Sequence, residues 1–123
     1  MGNKIKTFED LLCWQEAKNL ALIIYSVTGK FPNEEKFCLV SQMRRSAISV
    51  SSNIAEGFSR RTSKDKVYFY TVAKGSAVEL RSQVIIAKEL GFMEEKDYYS
   101  IEELVEKLGR LLTCLIRGAP DKS

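Results

Sequence analysis

The chain has 123 residues, with 19 lysines and arginines against 16 aspartates and glutamates, 45% hydrophobic residues and no histidine. Without imidazole it has no Ser-His-Asp or Cys-His catalytic pair and no histidine metal site, so any enzyme chemistry is limited to carboxylates, lysine, tyrosine and cysteine. This length favours a single domain over residues 1–123.

The three cysteines, Cys13, Cys38 and Cys114, are too few and too far apart for a disulfide framework or a CxxC zinc site. No apolar run approaches the length of a membrane span, and the first ten residues are too polar for a signal peptide. We therefore expect a cytoplasmic protein with buried thiols and with no metal, cofactor, membrane contact or small-molecule substrate.

Apolar residues at three- and four-residue spacing predict four helices, over approximately residues 8–28, 34–56, 63–90 and 95–117. Thr7, Asn33 and either Thr62 or Ser63 are candidate caps for the first three. A glycine follows each predicted helix as its stop signal: Gly29, Gly57, Gly91 and Gly118. Because short connections make consecutive long helices antiparallel, the predicted fold class is all-α, an antiparallel up-down-up-down four-helix bundle.

One apolar stripe on each helix forms the predicted core. The four stripes are Cys13, Ala17, Leu20, Ile24 and Val27; Val40, Met43, Ala47, Val50 and Ile54; Tyr70, Ala73, Ala77, Leu80, Val84 and Ala87; and Ile101, Leu104, Val105, Leu108, Leu111, Leu112 and Leu115.

The second helix has no charged residue between Arg45 and Glu56, and serine or asparagine fills most positions outside its stripe. Each of these residues costs about 0.5 kcal/mol relative to alanine in a helix interior. Small polar side chains allow another backbone to approach closely, so we interpret this face as an interface between subunits. The alternative is an exposed, serine-rich helix end.

The third helix contains Gly75 in its middle, at a cost of about 1 kcal/mol relative to alanine, which predicts a close helix crossing there. Glu79 lies one turn further on the same side. We expect Glu79 to pair with Arg44 or Arg45 of the second helix and to contribute more than the ~1 kcal/mol of a surface ion pair.

Positive charge is concentrated between residues 44 and 66, where six cations face only Glu56 and Asp65. The cations are Arg44, Arg45, Arg60, Arg61, Lys64 and Lys66, and Tyr68 and Phe69 follow closely. Arginine beside aromatic rings suits phosphate contact and base stacking on unpaired RNA or DNA. The alternative is ordinary loop charge next to core aromatics. As nucleic-acid contacts we select Arg44, Arg60, Arg61, Lys64 and Lys66.

The segment FPNEEKFCLVSQMRRSAISVSSNIAEG, from Phe31 to Gly57, resembles the signature of the four-helix-bundle proteins encoded in intervening sequences of bacterial 23S rRNA, sometimes labelled ribosomal proteins. Gly75-Ser76 with Glu79-Leu80 resembles the family's second motif. Its opening is matched by Phe8, Leu11, Trp14 and Ala17. The resemblance extends over nearly the whole chain.

This family is similar to the accessory protein of diversity-generating retroelements, which forms a basic pentameric barrel that binds nucleic acid and a reverse transcriptase. The resemblance therefore implies a homopentamer with nucleic acid as its partner. The family motif also singles out, besides Arg44, residues that we assign mainly to folding and assembly: Gln42, Arg45, Ser49, Asn53, Glu56, Gly75, Ser76 and Glu79.

Together these observations predict a ring-like, non-enzymatic homo-oligomer that binds nucleic acid, RNA above DNA, through phosphate contacts. The alternative is an adaptor whose oligomeric surface docks a partner protein such as a polymerase. An enzyme is least favoured, because neither Glu56 nor Glu79 has a nucleophile, a metal cluster or a phosphate-binding glycine loop beside it in the sequence.

Overall fold

The structure, a computed structural model, describes residues 4–119. It contains four α-helices: α1 (Leu12–Thr28), α2 (Leu39–Ser59), α3 (Ser63–Glu89) and α4 (Glu95–Arg117). Short 3-10 turns at Phe8–Asp10 and Asn33–Glu35 precede α1 and α2, and no strand occurs within the described residues. The prediction of an all-α chain with four helices is confirmed.

The helices pack in a square, since α1 and α3 each contact both α2 and α4. Between α2 and α3, Arg45 donates a hydrogen bond to Glu79, and the hydroxyls of Ser49 and Ser76 lie 2.7 Å apart. The sides α1–α2 and α3–α4 therefore lie opposite each other across the bundle.

One hydrophobic core draws on all four helices. Every residue of the first three predicted stripes is buried, and in α4 the buried members are Ile101, Val105, Leu108 and Leu112. Cys13 belongs to this core, where burial raises the pKa of its thiol to about 12. The prediction of buried thiols is wrong for Cys38 and Cys114, which are exposed because both lie outside the apolar stripes.

The starts of α1 and α2 differ from the residues predicted for them. Thr7 begins the turn Phe8–Asp10 instead of α1, and its backbone N–H donates to the Asp10 carboxylate at 3.1 Å. The second helix begins at Leu39 instead of residue 34. Extending the α2 stripe backwards would place Lys36 and Asn33 on the core side, so that segment has no apolar face to hold it helical.

Gly57 does not stop α2, which continues to Ser59. The residue is buried, and a Cβ atom built on it would lie 2.7 Å from Cε1 of Tyr70 and 3.1 Å from Cβ of Phe69. The glycine thus allows α3 to pack against the backbone of α2. Gly91 does follow its helix as predicted, with a φ of +80° that favours glycine.

The close crossing predicted at Gly75 is wrong for this chain. A Cβ atom at Gly75 would meet nothing within 4 Å, because the residue lies on the outer side of α3. Within the chain, the glycine at the close approach of α2 and α3 is Gly57.

Substituting each of these two glycines by alanine distinguishes the two positions. Gly57→Ala should lower the free energy of unfolding by about 1–3 kcal/mol, because its Cβ overlaps the Tyr70 ring. Gly75→Ala should raise it by about 0.5–1 kcal/mol, because alanine is the better helix former in open space. Urea unfolding followed by circular dichroism measures both, and equal effects would contradict this account of the α2–α3 contact.

Candidate nucleic-acid interface

Most residues of the family motif form one line of polar contacts between α2 and α3, here called the polar seam. Its members are Gln42, Arg45, Ser49, Asn53, Glu56, Arg60, Ser76 and Glu79. At the end of the polar seam near the start of α2, the Arg45 guanidinium donates to Gln42 at 2.8 Å and to Glu79 at 3.3 Å. Both side chains of the Arg45–Glu79 pair are about half exposed, so we expect it to contribute about 0.2–1 kcal/mol, less than the sequence prediction.

The middle of the polar seam uses the small residues of α2. The hydroxyls of Ser49 and Ser76 lie 2.7 Å apart, and the Asn53 amide donates to the Ser49 carbonyl at 2.8 Å. Ser46 is fully buried. Ser49 therefore joins α2 to α3 within one chain, Asn53 holds Ser49, and Ser46 is buried inside the bundle, which corrects the assignment of these three residues to an interface between subunits. Ile48 and Ser52 remain exposed.

Arg44, selected from the sequence as a nucleic-acid contact, instead joins α2 to the end of α1. Its Nε donates to the Thr28 hydroxyl at 3.0 Å, and a terminal nitrogen donates to the Tyr25 carbonyl at 3.2 Å. The guanidinium also lies over the Tyr25 ring at 4.5 Å. Arg44 thereby donates to one hydroxyl and one backbone carbonyl at the C-terminal end of α1, where a positive charge is favourable.

The predicted basic patch over residues 44–66 consists of two separate groups. Sixteen helical positions separate Arg44 from Arg60, which corresponds to roughly 24 Å along α2. Arg44 and Arg45 lie near the end of α1, whereas Arg60, Arg61, Lys64 and Lys66 lie where α2 ends and α3 begins. We call this second place the junction end.

At the junction end, Lys66 is not a surface cation. Only 3% of it is exposed, and its ammonium donates to the Phe58 carbonyl at 2.9 Å and lies 5.4 Å from the Phe58 ring centre. In the sequence, Lys66 follows Asp65 in the first turn of α3 and looks like a solvent-exposed residue. In the structure, its place on the helix turns its side chain toward the inside of the bundle. Lys66 therefore stabilises the α2–α3 connection and does not provide a phosphate contact.

Arg60 is held in a fixed position by two neighbours. It forms an ion pair with Glu56 one turn earlier in α2, and its guanidinium lies over the Phe69 ring at 4.6 Å. Its side chain remains 41% exposed. Tyr68, packed edge-on against Phe69 at 5.0 Å, is 62% exposed. The arrangement places a partly open guanidinium next to an open aromatic ring.

Arg61 and Lys64 are exposed, and within residues 4–119 neither forms an ion pair or hydrogen bond through its side chain. Both flank the N-cap of α3, where the Thr62 hydroxyl accepts the Asp65 backbone N–H at 3.1 Å. Cations at a helix N-terminus oppose the helix dipole and cost a few tenths of a kcal/mol each. Folding of α3 therefore does not explain why these two positions carry positive charge.

Other parts of the chain converge on the junction end. Ile5, Leu11, Phe58, Tyr70 and Leu115 line a cavity of about 440 Å³ there. The Ser63 hydroxyl donates to the Ala119 carbonyl at 2.8 Å, which brings the end of α4 and its exposed Arg117 to the start of α3. Sequence reasoning missed Arg117, since only the packing of α4 beside α3 places it here.

Residues 4–119 contain neither a metal-binding cluster nor a membrane-spanning helix. No group of three or more cysteine, aspartate or glutamate side chains is arranged to hold a metal ion. None of the described helices combines the length and apolar character that crossing a membrane requires.

A family model described as 23S rRNA-intervening sequence protein matches residues 9–114. Among solved structures, the chain is similar to a protein with unknown function from the S23 ribosomal protein family of Bacteroides thetaiotaomicron VPI-5482, with a TM-score of 0.80 and 21% sequence identity. That similarity covers 86% of this chain and 96% of the other, and it shows a shared fold. No curated protein matches the chain.

Removing the two neighbouring arginines separates their roles. Arg44→Gln should lower the free energy of unfolding by about 1–2 kcal/mol, because the end of α1 loses its charged hydrogen-bond donor. Arg45→Gln should cost less than about 1 kcal/mol, because its ion pair is exposed. Urea unfolding of the two variants tests this order, and a larger loss for Arg45→Gln would contradict the structural role of Arg44.

Proposed function

This chain belongs to the family of 23S rRNA-intervening sequence proteins, and we propose that it is a non-enzymatic, homo-oligomeric helical bundle that binds nucleic acid, RNA in the first place, through phosphate contacts. The observation that carries the proposal is the pair Arg61 and Lys64, two exposed cations without a side-chain partner in residues 4–119. Phosphate is the ligand that suits them, because the N-terminus of α3 also attracts negative charge.

The neighbouring side chains favour a nucleic acid over a simple anion. Tyr68 presents an exposed ring one turn after Lys64, and Arg60 is fixed against Phe69 with part of its guanidinium open. Unpaired bases stack on exposed aromatic rings and on arginine planes, while lysine and arginine contact the backbone. Such contacts have little sequence preference, since phosphates carry no base identity.

The carboxylates that an enzyme would need are engaged elsewhere. Glu56 pairs with Arg60 and Glu79 pairs with Arg45, and both pairs belong to the polar seam. This supports a structural role for these glutamates and a non-enzymatic protein. The unpaired, exposed thiols of Cys38 and Cys114 suit a reducing compartment, which supports the proposed cytoplasmic location.

We propose that the helices run antiparallel in an up-down-up-down bundle and that copies assemble into a ring, with five subunits as the family resemblance implies. The pairs Arg45–Glu79 and Ser49–Ser76 support the antiparallel order of α2 and α3, because the residue number on α3 falls as the one on α2 rises. Lys74–Thr113 and Arg81–Glu102 support it for α3 and α4 in the same way. A ring would repeat the junction end in every subunit and so build a stronger positive field than one chain.

A second candidate function is a protein-interaction adaptor, with a polymerase as one possible type of partner. It is favoured by Tyr99 and Leu90, large apolar side chains that are exposed at the end of the bundle opposite the junction end. Purification from cells with and without nuclease treatment separates the candidates, since a partner protein that remains bound after nuclease favours the adaptor.

Charge reversal at the junction end tests the proposed function. The double variant Arg61→Glu/Lys64→Glu should keep its fold, because both side chains are exposed and acids suit a helix N-terminus. We expect its affinity for a fluorescently labelled single-stranded RNA to fall by at least roughly 100-fold at low salt, as measured by anisotropy.

The matched control is Lys30→Glu/Lys96→Glu, which changes the net charge equally at two exposed lysines near the other end of the bundle. This control should lose less than about fivefold in affinity, through the long-range field alone. Equal losses in the two double variants, or no RNA binding by the unmodified protein, would contradict the proposal.

A further inference from the structure

The cavity at the junction end is separate from the residues proposed to contact RNA. Its volume is about 440 Å³, and all four helices contribute to its wall, whereas Arg61, Lys64 and Tyr68 do not line it. Pockets that bind small organic molecules have volumes of roughly 300–1,000 Å³ and mostly apolar walls. The apolar residues of this wall are Ile5, Leu11, Leu12, Phe58, Leu111 and Leu115.

Part of this apolar wall is open to solvent. Leu12 is 53% exposed and Ile5 is 49% exposed. A single exposed hydrophobic side chain is ordinary on a protein surface, but several around one concave site are typical of a ligand-binding site. An apolar molecule in the cavity would remove part of this surface from water, which is favourable.

Tyr70 brings a hydrogen-bonding group to the same wall. The residue is only 3% exposed, and within residues 4–119 its hydroxyl forms no hydrogen bond. One edge of its ring lies against Gly57, where a Cβ atom would be 2.7 Å from Cε1, so the ring is held in place. The hydroxyl of a buried tyrosine usually has a partner. A ligand in the cavity can supply that partner.

The polar groups of the wall favour a ligand that accepts a hydrogen bond. Burial, and after it the neighbouring Cys13 thiol, raises the pKa of Tyr70, so the hydroxyl keeps its proton and can donate it. Lys66 adds positive charge to the wall, and no aspartate or glutamate of the described residues lines the cavity. A carbonyl oxygen suits this environment, whereas a cationic ligand does not.

From this combination we infer that the cavity binds a small apolar organic molecule whose carbonyl oxygen accepts a hydrogen bond from Tyr70. The apolar part of the ligand packs against the leucines contributed by α1 and α4. This binding site goes beyond the proposed function, and it does not share a residue with the proposed phosphate contacts, Arg61 and Lys64.

The neutral naphthyl ketone dye Prodan is a suitable probe, because its apolar rings carry one carbonyl oxygen. We expect saturable binding to the unmodified protein, with emission shifted to shorter wavelength as in other apolar surroundings. Tyr70→Phe removes only the hydroxyl and should weaken binding about three- to tenfold, the effect of one hydrogen bond. Fluorescence titration measures both affinities.

A matched pair of alanines locates the bound dye. Ala119 lines the cavity, whereas Ala55, which is also partly buried, does not. Ala119→Trp should weaken Prodan binding at least roughly tenfold, because the indole ring takes up space that the dye needs. Ala55→Trp should change the affinity by less than about twofold, because it leaves the cavity unaltered. Circular dichroism checks that both variants are folded.

Thiol labelling of the unmodified protein gives a second measurement. Cys114 and Cys38 are both exposed, and of these two only Cys114 lines the cavity. Cys13 should react slowly, because burial raises its pKa to about 12. Saturating Prodan should slow the reaction of Cys114 with a maleimide at least roughly fivefold by limiting access, and leave that of Cys38 unchanged. Peptide mass spectrometry follows the two sites separately.

Several outcomes would overturn the inference. The first is the absence of saturable Prodan binding, and the second is equal affinity of the Ala119→Trp and Ala55→Trp variants. An unchanged affinity of Tyr70→Phe would contradict the hydrogen bond and with it the class of ligand. Equal protection of Cys114 and Cys38 would show that the dye does not select this cavity. None of these results affects RNA binding, which depends on Arg61 and Lys64.

Discussion

The close packing of α2 against α3 is the constraint on which the rest of the molecule depends. Gly57 leaves room for the Tyr70 ring, and the Ser49–Ser76 hydroxyl pair joins the two backbones further along. A bulkier residue at Gly57 would push α3 away from α2. It would thereby open the core where the start of α1 meets the end of α4, around Cys13 and Tyr70. The same contact sets the short connection that holds Arg61 and Lys64 in solvent at the start of α3.

Helix packing also decides which cations remain available. Arg44 satisfies carbonyl and hydroxyl groups at the end of α1, and Lys66 satisfies a carbonyl at the end of α2. Both cations stabilise helix ends, where positive charge is favourable. Arg61 and Lys64 occupy a helix start, where positive charge is unfavourable, and this difference in position distinguishes a candidate binding residue from a structural one. Net charge alone carries no such information.

The core and the helix number were predictable because one apolar stripe per helix is a strong periodic signal, and Leu20, Val50 and Leu80 are fully buried as that signal requires. The start of α2 was predictable only from the polar residues, Lys36 and Asn33, that interrupt its stripe. Gly57 has the sequence appearance of a helix stop, and its role as a packing residue depends on Tyr70, which only the tertiary structure brings beside it. For the same reason the sequence did not distinguish Lys66, which the rotation of α3 turns inward, from Arg61, which stays outside.

The most direct test of the central claim is the salt dependence of RNA binding by the unmodified protein. If an assembly neutralises about 6–10 phosphates with its repeated junction ends, the affinity should fall by about 10³–10⁵-fold between 50 and 200 mM salt, with a straight line of log affinity against log salt. Titration of a labelled single-stranded RNA over this range measures the slope. A flat dependence, or the absence of binding at 50 mM salt, would contradict a protein that holds nucleic acid through phosphate contacts.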